Sequence, residues 1–409
     1  MRALGSSSFR WLLGASTAAY LGTGMQLTAV AWLALAGTGG AFTVGLVLAA
    51  RMLPNLLFGL ASGTLADQAD RQRLLIGVRA VAVLPALGLA WLATADVPPV
   101  GLLVALSFAT GTVMVFDTPT RQALVMDTTS REVAPNAMAL NATGTRICTA
   151  LGALAAGVLI PTAGVPACFV GTSGLFVVAA LMGVLVRPTH RARRAAGRPR
   201  PSFSQALGEA ATLVFHVPEV RTLVLAAVAC EIFAFSYQTA VPVFARDVLG
   251  AGAEGLGTLN AAAQFGGAAA LVLLAMVPSR VPRRPVLGGV FVVYGLSMLV
   301  LAPSTSLVAA SAALVVTGAC AASFDMLQQT LLQLSVSEEQ RGRALGLWVL
   351  GIGSAPIGNL EMGTLVAFIG APMALAVNGA LVLAAAGLLI VFAPAYRHSL
   401  ARATDPGVR

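Results

Sequence analysis

The sequence predicts an all-α membrane protein of twelve transmembrane helices, arranged as two pseudo-symmetric six-helix halves. Three observations carry this. Of 409 residues, 57% are hydrophobic and 10% charged, with a mean hydropathy of +0.86. A soluble domain averages about 45–50% apolar and about 25% charged. Apolar stretches of the roughly 20 residues that a membrane helix needs recur along the whole chain. The arginines gather in alternate connections between those stretches, which is the positive-inside pattern.

The stretches lie at approximately 10–36, 43–66, 73–94, 99–121, 135–160, 163–186, 219–244, 254–277, 284–303, 306–332, 342–367 and 370–393. The first follows Arg2 and Arg10 and contains Ser16-Thr17-Ala18-Ala19, features of a signal peptide. It runs on to Leu35, too long for a signal core, so it is expected to remain as a helix. The hairpins at 37–42, 161–165, 303–306 and 367–371 carry no charge. They alternate with connections bearing Arg71/Arg73, Arg121/Arg131, Arg280/Arg283/Arg284 and Arg341/Arg343. Of 25 basic residues, all arginine, 22 are assigned to the cytoplasmic side, Arg51 and Arg146 to the membrane, and Arg246 to the outside. Both termini are then cytoplasmic.

The longest connection, 187–218, holds Arg187, Arg191, Arg193, Arg194, Arg198 and Arg200 with Pro188, Pro199 and Pro201. It reads as a linker between an N-terminal half, 1–186, and a C-terminal half, 219–394, followed by a tail, 395–409. An anionic-lipid contact is the alternative role for its arginines. The halves look related, because Phe116-Asp117 recurs as Phe324-Asp325 at corresponding depths of the fourth and tenth helices.

The net charge of +9 suggests nucleic acid, but its distribution over alternate loops does not. Cys148, Cys168, Cys230 and Cys320 fall in or beside apolar stretches without metal or disulfide spacing. The Asn141-Ala-Thr143 sequon lies inside a helix and is discounted. No nucleophile–base set, metal cluster or phosphate loop is legible, so no enzymatic activity and no cofactor are expected.

The loop Gly63-Thr-Leu-Ala-Asp67-Gln-Ala-Asp70-Arg71-Gln-Arg73 stands out between two apolar stretches. Gly63 would admit a neighbouring helix. Asp67, just past the helix end, would face the positive N-terminus of another helix. This loop resembles the signature between helices 2 and 3 of the major facilitator superfamily, Gly-x-Leu-Ala-Asp-basic-x-Gly-Arg-basic. The match covers Gly63, Leu65, Ala66, Asp67 and Arg71, and departs at Gln68 and Gln72. Asp70 in place of the second glycine is similar to the drug- and siderophore-exporter branch. So are Arg341-Gly-Arg343 with Gly351, Gly353, Pro356 and Gly358, and Asp247-Val-Leu-Gly250 with Gly255-Leu-Gly257, which resemble enterobactin exporters. Ala153 stands where exporters often carry a proline.

The resemblance implies a secondary transporter in a bacterial inner membrane, a monomer that exports a small lipophilic compound (drug, antibiotic or siderophore) in exchange for protons. Its halves would rock about a central site, powered by the proton gradient. Gly63, Asp67, Arg71, Arg341 and Arg343 would form a conformational latch. A proton-coupled importer, or a polytopic membrane enzyme or sensor, are the alternatives.

Stripes of small residues mark close helix contacts: Gly144, Cys148, Gly152 and Ala156; Ala262, Gly266 and Ala270; Gly351, Ala355, Asn359 and Gly363. A charge at the bilayer centre costs about 2.5–3.5 kcal/mol on insertion scales, so it is a functional candidate by default. Glu231, Asp325, Asp117 and Glu361 are the candidates for proton coupling, since no histidine is embedded. Asp117 could instead simply bond Arg121, one turn away. Tyr20, Gln26, Arg51, Arg146, Tyr237, Gln238 and Gln328 are the candidates for the substrate cavity, with a structural counter-ion role open for the two arginines.

Overall fold

A computed structural model describes residues 2–38, 40–130, 132–188, 212, 214–278, 281–336, 340, 347–348 and 351–392. The expected linker, 187–218, and the tail, 395–409, fall largely outside these residues.

Helix α1 spans Ser7–Thr38, and Ser6 caps it by accepting from the Phe9 amide at 3.3 Å. Helix α2 spans Ala41–Gln68 and α3 spans Arg71–Leu92. Only two residues separate them, because Asp70 caps α3 by accepting from the Arg73 amide at 3.1 Å. Asp67 therefore lies in the last turn of α2, not beyond its end. Helix α4 spans Val100–Asp127, entered through Pro98 and Pro99. It runs six residues past the expected end, since Arg121 is buried within the bundle rather than placed in a loop.

Residues Ala134–Val184 follow as one run of 51 residues. At about 1.5 Å per residue a continuous helix would be more than twice the thickness of a bilayer core. Gly164 breaks it with φ +85°, followed by Pro166. The two arms, 134–163 and 165–184, are α5 and α6. The same device recurs in Ala355–Phe392, where Gly370 has φ +77° and precedes Pro372. Its arms, 355–369 and 371–392, are α11 and α12. A side chain is strained at such φ values, so a glycine is required at both turns. Between these pairs lie α7, Pro218–Val248, α8, Gly252–Met276, α9, Arg283–Leu301, and α10, Leu307–Leu334. Ten runs among the described residues are long and apolar enough to cross a membrane, and the breaks at Gly164 and Gly370 divide two of them, giving twelve helices.

Packing repeats between the halves. Gly24 and Gly152 admit the backbones of α5 and α1 to one another, and Gly358 does the same for α11 and α7. Gly111 sets α4 on the backbone of α2, as Gly266 and Gly318 set α8 on α10. The third pair, α3 with α6, is matched by α9 with α12, where Gly295 faces Gly379. Without room for a Cβ these backbones meet directly, which is how helices associate where lipid offers no hydrophobic gain. Gly63 has no such neighbour among the described residues, and the start of the eleventh helix expected beside it lies outside them. Leu84, Trp91, Val308 and Phe368 point outward as lipid-facing side chains must.

The halves meet through α2 with α11, where the Cα of Gly45 lies 3.0 Å from a Cβ built on Gly363, and through α5 with α8, at Gly157 and Gly257. Both crossings lie near the uncharged turns, here called the arginine-poor face. The opposite face carries the Arg71 end of α3 and the start of α7.

Candidate functional site

Two polar layers cross the bundle. In the first half, Asp117 and Arg121 stand one turn apart on α4, on the face turned toward α1 and α3. The Arg79 Nε donates to Asp117 Oδ1 at 3.0 Å, and Arg121 Nε lies 3.6 Å from Asp117 Oδ2. Arg121 also donates to the Tyr20 hydroxyl at 2.8 Å, its guanidinium 4.8 Å from that ring. Ser16 accepts from Arg79 at 3.5 Å. All three charged side chains are nearly inaccessible. The sequence reading placed Arg79 and Arg121 at the membrane surface. They are instead buried, because Asp117 supplies the counter-charge. The apolar run around Arg79 signalled this, being too long for Arg79 to sit at its edge.

At the arginine-rich end, Arg71 Nη1 donates to both oxygens of Asp127 at 2.9 Å, and its Nε to the Ala66 carbonyl at 3.0 Å. Arg71 thus ties the end of α2 to the end of α4. Gln72, where the signature has a basic residue, donates to the Gly183 and Val184 carbonyls at the end of α6. That end has unpaired carbonyls, which an amide satisfies without a charge. The Asp67 side chain, Arg341 and Arg343, named above as latch residues, lie outside the described residues.

Across the centre, Arg146 on α5 reaches the second half. It donates to Gln264 Oε1 on α8 at 3.5 Å, and a Cβ on Gly267 would come within 2.8 Å of it. It acts electrostatically on Asp325 of α10 and on Tyr237 of α7. Asp325 in turn acts on Glu231 of α7. These residues converge between α5, α7, α8 and α10, where the halves face each other. Glu231, Asp325 and Arg146 are half-buried, although each lies about 25 Å along its helix from the arginine-poor end. Glu231 belongs to a π turn, Cys230–Ala234, closed by the Phe235 amide donating to the Cys230 carbonyl at 2.9 Å. Such turns often sit at functional sites. Tyr294, which the sequence reading passed over, is fully buried beside this group with its hydroxyl unpartnered.

Glu361 stands nearer the arginine-poor face. It accepts from Asn378 at 3.1 Å, and Asn378 also donates to Ser236 at 3.1 Å. Thr239 donates to Asn359 at 2.8 Å. Gln328 is buried and donates to the Leu223 carbonyl at 3.2 Å, an intrahalf contact. Gln238 is half-buried next to Tyr237. Gln26 donates to Thr110 at 3.4 Å, and Arg51 is 5% exposed. At the arginine-poor face Arg246 pairs with Asp247 at 2.6 Å and donates to the Leu35 carbonyl of α1 at 3.1 Å, bridging the halves. Beside it lies a cavity of about 420 Å³ lined by Gly40, Val243 and Val366.

Comparison with known proteins adds the identity. A model of the family described as transmembrane secretion effector matches residues 2–405. The staphyloferrin A transporter of Staphylococcus aureus is 21% identical over 354 residues, covering 86% of this chain and 88% of that protein. Among solved structures, the nucleoside transporter NupG superposes with a TM-score of 0.75 at 13% identity, over 94% of this chain and 99% of that one. A POT family transporter in complex with 5-aminolevulinic acid gives 0.73 at 9% identity, over 96% and 97%. The chain is a transport protein rather than an enzyme, and it belongs to the transmembrane secretion effector family of the major facilitator superfamily.

Proposed function

We propose that this secondary transporter exports a small lipophilic compound (drug, antibiotic or siderophore) in exchange for protons. The observation that carries the reading is the meeting of Glu231, Asp325 and Arg146 between the halves, half-buried at a depth where charge is costly. A carboxylate there can take a proton at one face and release it at the other as the halves rock. Of the two, Glu231 is the principal carrier, since Arg146 acts on Asp325. Asp117, held by two arginines, is the weaker candidate, and Glu361 stays with Asn378.

In this reading the arginine-rich face is cytoplasmic, the membrane is the bacterial inner membrane, and 187–218 links the two halves. Reporter fusions at 40, 164 and 369 are then external, and those at 70, 195 and 400 internal. Asp67, with Gly63, Arg71, Arg341 and Arg343, latches α2 to the start of the eleventh helix expected at 342–367 when the arginine-rich side is closed. Asp67→Asn lowers turnover while expression holds. Tyr20, Gln26, Arg51, Tyr237, Gln238 and Gln328 line or support the path. A proton-coupled importer uses the same carboxylates, and the staphyloferrin A transporter's name gives no direction. Inverted vesicles with an imposed pH gradient separate the two. Accumulation of a compound found by a resistance screen, driven by an acidic lumen, supports export. Accumulation only in right-side-out vesicles overturns it.

A further inference from the structure

Arg51 has no hydrogen bond or ion pair with any described residue. The other membrane arginines do: Arg79 and Arg121 share Asp117, and Arg146 has Gln264. Arg51 lies ten residues into α2, about 15 Å from the arginine-poor end. It follows lipid-facing Phe42 by nine residues, about two and a half turns, so it points away from lipid. Leu56 and Leu57, also exposed, lie on Phe42's side of the helix. Arg51 is thus turned into the bundle, 5% exposed, its five N–H donors without a bonded partner among the described residues.

The neighbouring helices supply a second unpartnered group at the same depth. The backbone of Arg51 packs directly on Gly111 of α4, where a Cβ would collide with the Arg51 carbonyl. Next to Gly111, the Thr110 hydroxyl donates to the Leu106 carbonyl at 2.9 Å and accepts from Gln26 Nε2 at 3.4 Å. Gln26 is 1% exposed and its Oε1 has no partner. Turning the amide and rotating the Thr110 hydroxyl from the Leu106 carbonyl to Gln26 Oε1 frees Nε2 as a donor for a ligand. The first half's own buried carboxylate, Asp117, is six residues further along α4, about 9 Å away, and already engaged.

We propose that Arg51, supported by Gln26, is a binding subsite for an oxyanion, specifically a carboxylate, of the transported compound. A planar carboxylate takes two parallel N–H bonds from a guanidinium, and a buried charge without a partner is otherwise costly. This rests on the transporter reading and narrows its substrate class to lipophilic acids or zwitterions.

The test is thermal unfolding of the purified full chain in detergent with three carboxylates, benzoate, phenylacetate and succinate, each against its amide. At least one carboxylate stabilises the parent over its amide. Arg51→Gln weakens that effect about tenfold or more, Arg51→Lys keeps part of it, and Gln26→Leu weakens it several-fold. The proposal is overturned if no carboxylate outperforms its amide, or if the effect survives Arg51→Gln. If Arg51→Gln does not fold, an unchanged affinity in Gln26→Leu overturns it. Carboxylate binding without proton-driven transport would remove the coupling reading and leave this one. Proton-driven transport undiminished by Arg51→Gln would do the reverse.

Discussion

The two halves repeat the same helix pairing but carry opposite charge into the membrane. Away from helix ends, the first half holds Arg51, Arg79, Arg121 and Arg146 against a single carboxylate, Asp117. The second half holds Glu231, Asp325 and Glu361, with no arginine at comparable depth among the described residues. Scaffold and chemistry are therefore separable here. Glycine crossings and the turns at Gly164 and Gly370 are shared, while the polar fill is not. An arginine keeps its charge under all conditions met in a membrane, so the first half is a fixed positive field. A carboxylate can gain or lose a proton, and of the four deep carboxylates among the described residues three, Glu231, Asp325 and Glu361, lie in the second half, while Asp117 in the first is held by two arginines.

The largest expected effect comes from breaking the first half's own balance. Asp117→Asn leaves Arg79 and Arg121 buried without a carboxylate, and removing one partner of such a group costs about 3–5 kcal/mol. Thermal unfolding in detergent should show a large loss, or no folded protein. Glu231→Gln makes the comparison sharp, because it removes a carboxylate with no bonded partner among the described residues. Its unfolding temperature should stay close to the parent's. Equal losses in the two variants would erase the distinction between a structural charge and a mobile one.

A smaller effect is expected at the bridge between the halves. The Arg246 bond to the Leu35 carbonyl ties the two halves at the arginine-poor face, and a hydrogen bond from a charged group contributes about 1.5–3 kcal/mol at most when buried. Arg246 is a third exposed and already paired with Asp247, so about 1 kcal/mol is the reasonable share. That shifts a two-state equilibrium about fivefold. Spin-label distances between 40 and 369 should broaden toward longer values in Arg246→Ala. An unchanged distribution would show that the glycine crossings at Gly45 and Gly157 close this face unaided.

The fold was readable because a bilayer demands long apolar runs and sorts arginines by side. Helix ends were less readable where charge is paired. Arg121 looked like a loop residue because its partners, Asp117 and Tyr20, lie a turn or a hundred residues away. Arg79 was misplaced for the same reason. The repeat of Gly-x-Pro at 164–166 and 370–372 was visible in the sequence and stronger than the Phe-Asp pair, but its meaning lies in a positive φ that sequence does not display. The convergence of Arg146 with Asp325 and Glu231 needed three dimensions, because α5, α7 and α10 meet only across the two halves.

The central claim is that the second half carries the proton, and Glu231 tests it most directly. Purified parent and Glu231→Gln are placed in proteoliposomes with an imposed pH gradient and a compound identified by a resistance screen in a pump-deleted host. The account predicts that Glu231→Gln binds the compound and equilibrates it down its own gradient, but no longer accumulates it against that gradient. Accumulation by Glu231→Gln equal to the parent's would contradict the account.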